Sequence, residues 1–213
     1  MITVDYHGEL TEVQGDAVLA ALLAAPAARG PFDRLEWWQD LAEFCGITPL
    51  LAIARDGVHR AVLPLSRQGR QIHGLANWYT FRIAPLFTPG ADRAALLAAL
   101  AQGLAGQTRH LIVSPLPDAD GETTMITQAL RRAGWITFVE PCDVNHILPV
   151  QGRSYARYLA SRPCSLRSTL RRKAGKVAIT VGTAFDPAAW AAYEAIYAQS
   201  WKAVSYTHLR AHE

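Results

Sequence analysis

Asp56-Gly57 lies between two long apolar runs, Thr48–Arg55 and Val58–Arg67, and no other feature narrows the possible folds as much. An Asp-Gly pair favours the backbone angles of a tight hairpin turn, so the two runs fold back on each other as antiparallel strands. Gly69 marks a further turn, and Gln71–Asn77 makes a third strand. The middle of the chain is therefore a meander. Pro64, inside the second run, cannot donate to a ladder and assigns that strand to a sheet edge or a bulge.

Other elements surround the meander. Met1–Tyr6 alternates as a short strand, and Gln14–Ala25 is a helix ended by Pro26 and Gly30. Asp33 is placed to cap a second helix, with Glu36 three residues later completing a capping box. Trp37, Trp38, Leu41 and Phe44 then fall on one helical face before Gly46 stops it. Trp78–Leu86 is irregular, Ala91–Leu104 a helix, Arg109–Ser114 a strand, and Thr123–Ala133 a helix stopped by Gly134. Trp135–Val139 and Val144–Leu148 pair as strands around Pro141. The order β-α-α-β-β-β-α-β-α-β-β predicts an α/β (α+β) fold, with a mixed, mostly antiparallel sheet flanked by helices.

After Pro149 the pattern restarts. Ser154–Leu159 and Ser165–Lys173 form a helix interrupted at Pro163, and Lys176–Gly182 is a strand. Asp186-Pro187 opens a helix that runs through Trp190, Tyr193, Ile196 and Tyr197 to Trp201. The expected organisation is a first domain over 1–150, the truncated start of a second similar domain over 151–203, and a tail over 204–213. That tail, Val-Ser-Tyr-Thr-His-Leu-Arg-Ala-His-Glu, resembles the in-frame translation of a transposase-type sequencing adapter, so it is set aside from the fold. On this reading the natural sequence is cut near Lys202. Residues after about 150 are then expected to pack poorly, because their sheet partners are absent.

Half of the residues are apolar, yet no stretch is long enough to span a bilayer. The alanine-rich Ala17–Ala28 lacks a basic leader, which argues against a signal peptide and for the cytoplasm. Cys45, Cys142 and Cys164 are odd in number, far apart and without metal-ligand spacing, the pattern of buried or half-buried free thiols. His59, His73, His110 and His146 have no partner at triad or metal spacing and are assigned structural roles. Trp37, Trp38, Trp190 and Trp201 sit at helical spacings and are assigned to the core. The net charge is only +3, and the basic excess is local.

That excess centres on Leu166-Arg167-Ser168-Thr169-Leu170-Arg171-Arg172-Lys173. Arg167 and Arg171 are one helical turn apart and can share one anion. Arg167, Arg171, Arg172 and Lys173 are therefore a candidate phosphate site, with a solvated helix face as the plainer reading. Trp78, Tyr79 and Arg82 form an aromatic and basic group on an irregular segment, where binding residues often sit. They are a candidate acceptor-pocket wall. Asp118, Asp120 and Glu122 read as a polar turn with helix capping.

Several of these stretches resemble one group of transferases. Pro31-Phe32 with Trp37, Arg55-Asp56-Gly57 with Leu63-Pro64-Leu65, Asn77-Trp78-Tyr79-Thr80 with Pro85-Leu86, the basic helix, and Tyr197 with Ser200-Trp201-Lys202 are similar, in that order, to the GNAT superfamily of N-acyltransferases. Within it they resemble the tandem-domain bacterial group of cellulose-biosynthesis acetyltransferases, near the FemAB-type peptidyl transferases. The resemblance implies an acyl-CoA (acetyl-CoA) co-substrate whose pyrophosphate sits on amides at the start of the third long helix. Here that stretch is Phe87-Thr88-Pro89-Gly90-Ala91-Asp92-Arg93. Its proline removes a donor, and Asp92 competes for the amides. The implied donor turn is therefore expected in the second domain, beyond Lys202, leaving these residues inactive alone and their catalytic residues unassigned.

The expected parent activity is acyl transfer from a CoA-type donor to an amine or hydroxyl of a cell-envelope or polysaccharide precursor, a saccharide or peptide acceptor. The alternatives are a FemAB-like enzyme using aminoacyl-tRNA, with the basic helix on RNA, and a non-catalytic interaction module. Few aromatics interleave the basic stretch, which argues against general nucleic-acid binding.

Overall fold

The computed structural model describes residues 1–24, 30–118, 121–142, 148–150 and 152–200. It divides into two compact units, Met1–Val144 and Asn145–Glu213. The class is α+β, and the sheet is mostly antiparallel.

The first unit is organised around the expected hairpin, β2 (Pro49–Asp56) and β3 (His59–Gln68). Asp56 pairs with His59, so the loop is Gly57-Val58, one residue later than the Asp-Gly signal suggests. Gly57 takes φ 53°, which a side chain would disfavour. β1 (Thr3–His7) pairs antiparallel with β2. On the other side, β4 (Gln71–Gly74) and β5 (Leu86–Phe87) both pair antiparallel with β3. β6 (Leu111–Ile112) closes the order β1-β2-β3-β4-β6 and is parallel to β4.

Pro64 was expected at an edge or bulge, but it lies in an interior strand opposite Leu51. The carbonyl of Pro64 accepts from Leu75 N at 3.1 Å. In a strand, N–H and C=O of one residue point the same way, so the missing donor faces the gap between β4 and β5, where no ladder bond is lost.

β2 and β3 are apolar at both side-chain parities because the sheet is covered on both faces. Leu50, Ala52, Ala54, Leu63 and Leu65 face α4 (Arg93–Ala105) and α5 (Glu122–Arg132). Leu51, Ile53 and Val62 cluster with α1 (Thr11–Gln14), α2 (Ala17–Ala24) and α3 (Leu35–Cys45). Truncating the fully buried Trp38 of α3 would cost about 3–5 kcal/mol. Its neighbour Trp37 is partly buried. Between α4, α5 and the sheet there remains an apolar cavity of about 10 Å³, lined by residues such as Leu63, Leu100 and Ile126, room for one water at most.

Two aspartates exchange the roles that local sequence suggests. Gln14–Ala25 is not one helix. It breaks at Gly15-Asp16, and Asp16 Oδ1 caps α2 by accepting from Val18 N at 2.9 Å and Leu19 N at 3.2 Å. Asp33, the expected cap of α3, lies in a 3-10 turn (Pro31–Asp33), while Arg34 occupies the cap position with no side-chain bond. Cys45, Cys142 and Cys164 are exposed rather than buried. Trp135–Val139 forms no strand. Trp135 instead anchors to α4, its Nε1 donating to Ala101 O at 2.9 Å. Residues 144–147 of the expected partner strand, with His146, lie outside the described residues.

The second unit contains α6 (Tyr155–Ala160), α7 (Cys164–Lys173) and α8 (Pro187–Ala198), broken at Pro163 as expected. Asp186 caps α8 through Ala188 N and Ala189 N. None of the three helices has a buried residue. Lys176–Gly182 is not a strand: Val177, Ile179 and Val181 alternate correctly yet remain exposed, since alternation cannot make a strand without a neighbour to bond. Trp190, assigned to the core, is half exposed and stacks on Tyr193 at 5.4 Å instead. Trp201 lies outside the described residues.

Asp16 also meets Arg60 Nε at 3.1 Å and Arg55 Nε at 3.6 Å. Burial pushes its carboxyl up, but the bonds from Arg60, Leu19 and Val18 and the Arg60 charge outweigh that and hold it below the usual range. A depressed folded pKa gives stability that is present above the unfolded pKa and lost as pH falls through the folded one. Asp16→Asn keeps the cap acceptor but loses the charge. It should cost about 1–2 kcal/mol at neutral pH, and the gap to the native chain should narrow below about pH 4. Urea unfolding at neutral and acid pH checks this; an unchanging gap would refute it.

Candidate functional site

β4 and β5 are two halves of one interrupted strand. Both run antiparallel to β3, β4 opposite Leu65–Gln68 and β5 opposite Ala61–Val62. Between them the chain leaves the sheet over 75–85 and returns. Loops held by a rigid scaffold carry a disproportionate share of binding residues.

The excursion is anchored at several points. Leu75, Thr80, Ile83 and Ala84 are buried. Ile83 N donates to Pro115 O at 2.7 Å. Asn77 builds a local turn, its Oδ1 accepting from Tyr79 N at 2.9 Å, while Asn77 N donates to Thr80 Oγ1 at 3.1 Å. A Cβ on Gly74 would sit 2.3 Å from Ile83 Cδ1, so a larger residue there would force the buried Ile83 side chain to shift. The side chains left outside are aromatic: Trp78 is 79% exposed, Phe81 76% and Tyr79 50%. Phe32 meets Phe81 edge-on at 5.7 Å and Trp37 at 5.4 Å, extending the aromatic surface onto the segment before α3. Trp38 Nε1 holds Phe32 in place by donating to its carbonyl at 2.9 Å.

Arg82 belongs to the anchoring, not to the open face. Its guanidinium pairs with Asp33, a carboxylate almost fully buried, and lies 3.6 Å from Glu122. A buried carboxylate requires a cation, and Arg82 supplies one to Asp33. This explains why Asp33 does not cap α3; at α5 the cap residue is Gly121, which has no side chain to offer. Of the expected group Trp78, Tyr79 and Arg82, the two aromatics are presented outward and the arginine is committed to two acids. Sequence reasoning missed Phe32 and Phe81 as part of the surface; their closeness to Trp78-Tyr79 and to Trp37 in the chain was the available signal. Asp120 lies outside the described residues.

At the start of α4 one free amide is taken by the cap residue. Asp92 Oδ1 accepts from Ala95 N at 3.0 Å. Thr88 is spent on β3, its Oγ1 accepting from Arg60 N and its own N donating to Arg60 O, both at 3.0 Å. Arg93 stacks over Phe87 at 5.3 Å. Among the described residues no group of three His, Cys, Asp or Glu side chains could hold a metal, and no helix is long and apolar enough to cross a membrane.

Within the second unit, Arg167, Arg171, Arg172 and Lys173 lie on the single helix α7, all exposed. Among the described residues none of the four has an acidic partner. Comparison of the chain with protein-family models, curated proteins and solved structures gives no match.

The anchoring is testable by substitution. Arg82→Ala withdraws the cation from buried Asp33 and should cost about 3 kcal/mol, whereas the paired Arg82→Met with Asp33→Asn should recover much of that loss. Denaturant midpoints check both; a neutral Arg82→Ala would show that the clamp holds nothing. Gly74→Ala should cost about 1–3 kcal/mol through the Ile83 clash, again read from the denaturant midpoint.

Proposed function

We propose that the chain belongs to an acyltransferase, with Met1–Val144 as its acceptor-side scaffold. The acyl group comes from a CoA-type thioester and passes to an amine or hydroxyl of a saccharide or peptide cell-envelope precursor. The observation that carries the reading is the aromatic excursion at the interrupted strand: Trp78, Tyr79 and Phe81 are held outward on a backbone fixed by Asn77, Arg82 and Ile83. Rigid exposed rings suit the apolar faces of sugar rings and bind them at small entropic cost.

The element order from β1 to α5 and the sequence likeness to GNAT-type transferases support the same reading. At the α4 terminus Asp92 accepts from Ala95 N, so a donor pyrophosphate would have to compete with that cap. The thioester supplies an electrophilic carbonyl when bound, and on this reading it is bound outside Met1–Val144. The contribution of this unit is positional: it orients the acceptor and excludes water from one side. Its acids near the excursion, Asp33 and Glu122, are paired to Arg82, so neither is the base that takes the acceptor proton.

Tryptophan fluorescence titration tests the proposal. An amino-sugar oligosaccharide should shift the emission of the chain, and Trp78→Ala should weaken the affinity about ten-fold. Acetyl-CoA should leave the emission unchanged. Absence of any saccharide response, or saturable acetyl-CoA binding strengthened by Asp92→Gly, would refute the assignment.

A further inference from the structure

We infer that the basic segment of the Asn145–Glu213 unit docks on an anionic lipid surface, with α7 lying along that surface. The inference stands apart from the transferase reading and rests on charge. Residues 148–185 carry six arginines and two lysines and no acid, while the whole chain sums to only +3. The rest of the protein is therefore net acidic, and the positive field is confined to one stretch. A field so concentrated is an attraction for a polyanionic partner.

The distribution of side chains on α7 selects the kind of partner. Leu166 and Leu170 form a stripe 42% and 39% exposed. At about 100° per residue, Lys173 and Arg167 flank the stripe on its two sides. Cations with long alkyl stems beside a narrow apolar line are the arrangement of a helix lying in a membrane interface: the stems follow the apolar surface and the charges reach the headgroups. An RNA strand is a poorer match. It would leave both leucines against a polyanion. The ring of Tyr158, next to α7 in the chain, already carries the guanidiniums of Arg162 at 4.7 Å and Arg153 at 5.1 Å, so it is not open for a base to stack upon. Two leucines alone do not hold a ten-residue helix on a neutral bilayer, so attachment must depend on anionic lipid and on salt.

Co-sedimentation of the full chain with vesicles tests this, using phosphatidylcholine alone or with about one-third phosphatidylglycerol. The chain should bind only the anionic vesicles and be released by high salt. Its circular dichroism should gain helix on binding, because a helix this short is marginal in water. Each cation removed should weaken partition about five-fold, so Arg167→Ala with Arg171→Ala should lose about 25-fold. Arg167→Lys with Arg171→Lys should stay within about two-fold, since a point charge suffices for a surface field. Because α7 has no buried residue, these variants leave the packed core untouched. Equal partition to both vesicle types, or no binding to the anionic ones, would overturn the inference. So would polyuridylate displacing the vesicles with an affinity that the lysine variant weakens, which would assign the segment to RNA.

Discussion

Burial of the β2–β3 hairpin on both faces is the constraint from which the first unit follows. A strand covered on one side alternates apolar and polar residues; Leu50-Leu51-Ala52-Ile53-Ala54 is apolar throughout and has no side to give to water. Helices must therefore lie above and below. α4 and α5 satisfy one parity, and α1, α2 and α3 the other. The small residues Ala52, Ala54 and Ala61 share the face met by α4. Gly103 of α4 approaches β1 so closely that a Cβ would come within 2.5 Å of the Tyr6 hydroxyl.

What could be read from the chain was whatever depended on near neighbours in sequence. The hairpin, the helix stops at Gly46 and Gly134, the break at Pro163 and the cap at Asp186 all act across a few residues, and the structure has each of them. The failures share a cause as well. Asp33 looked like a cap because Glu36 follows it, but its actual partner is Arg82, far along the chain. Lys176–Gly182 alternated like a strand, but pairing is decided by a distant neighbour. Pro64 looked like an edge residue; only the location of the gap between β4 and β5 shows why it is tolerated inside a sheet.

The candidate site shows the same division. That the chain from 78 onward is irregular and aromatic was plain from composition, although Leu86 already belongs to β5. That its arginine faces inward was not, because the demand for a cation comes from a carboxylate whose burial depends on how the segment before α3 packs. A motif containing one arginine and two aromatics does not reveal which of the three is structural. The buried acid decides it. The polar half of the group fixes the backbone, and the apolar half faces outward, the reverse of what a surface segment of this composition would suggest.

The coincidence of Pro64 with the departure of the chain from the sheet has an evolutionary consequence. At that rung β3 offers no donor toward the gap, and the two half-strands on either side are each aligned by their own pairings. Lengthening or shortening the intervening stretch would therefore not slip the alignment on either flank, and closing a somewhat longer stretch adds little entropy cost. Selection could then vary the exposed tip of that stretch, at Trp78, Tyr79 and Phe81, while its buried anchors hold the scaffold, which makes those positions the natural place for related chains to diverge.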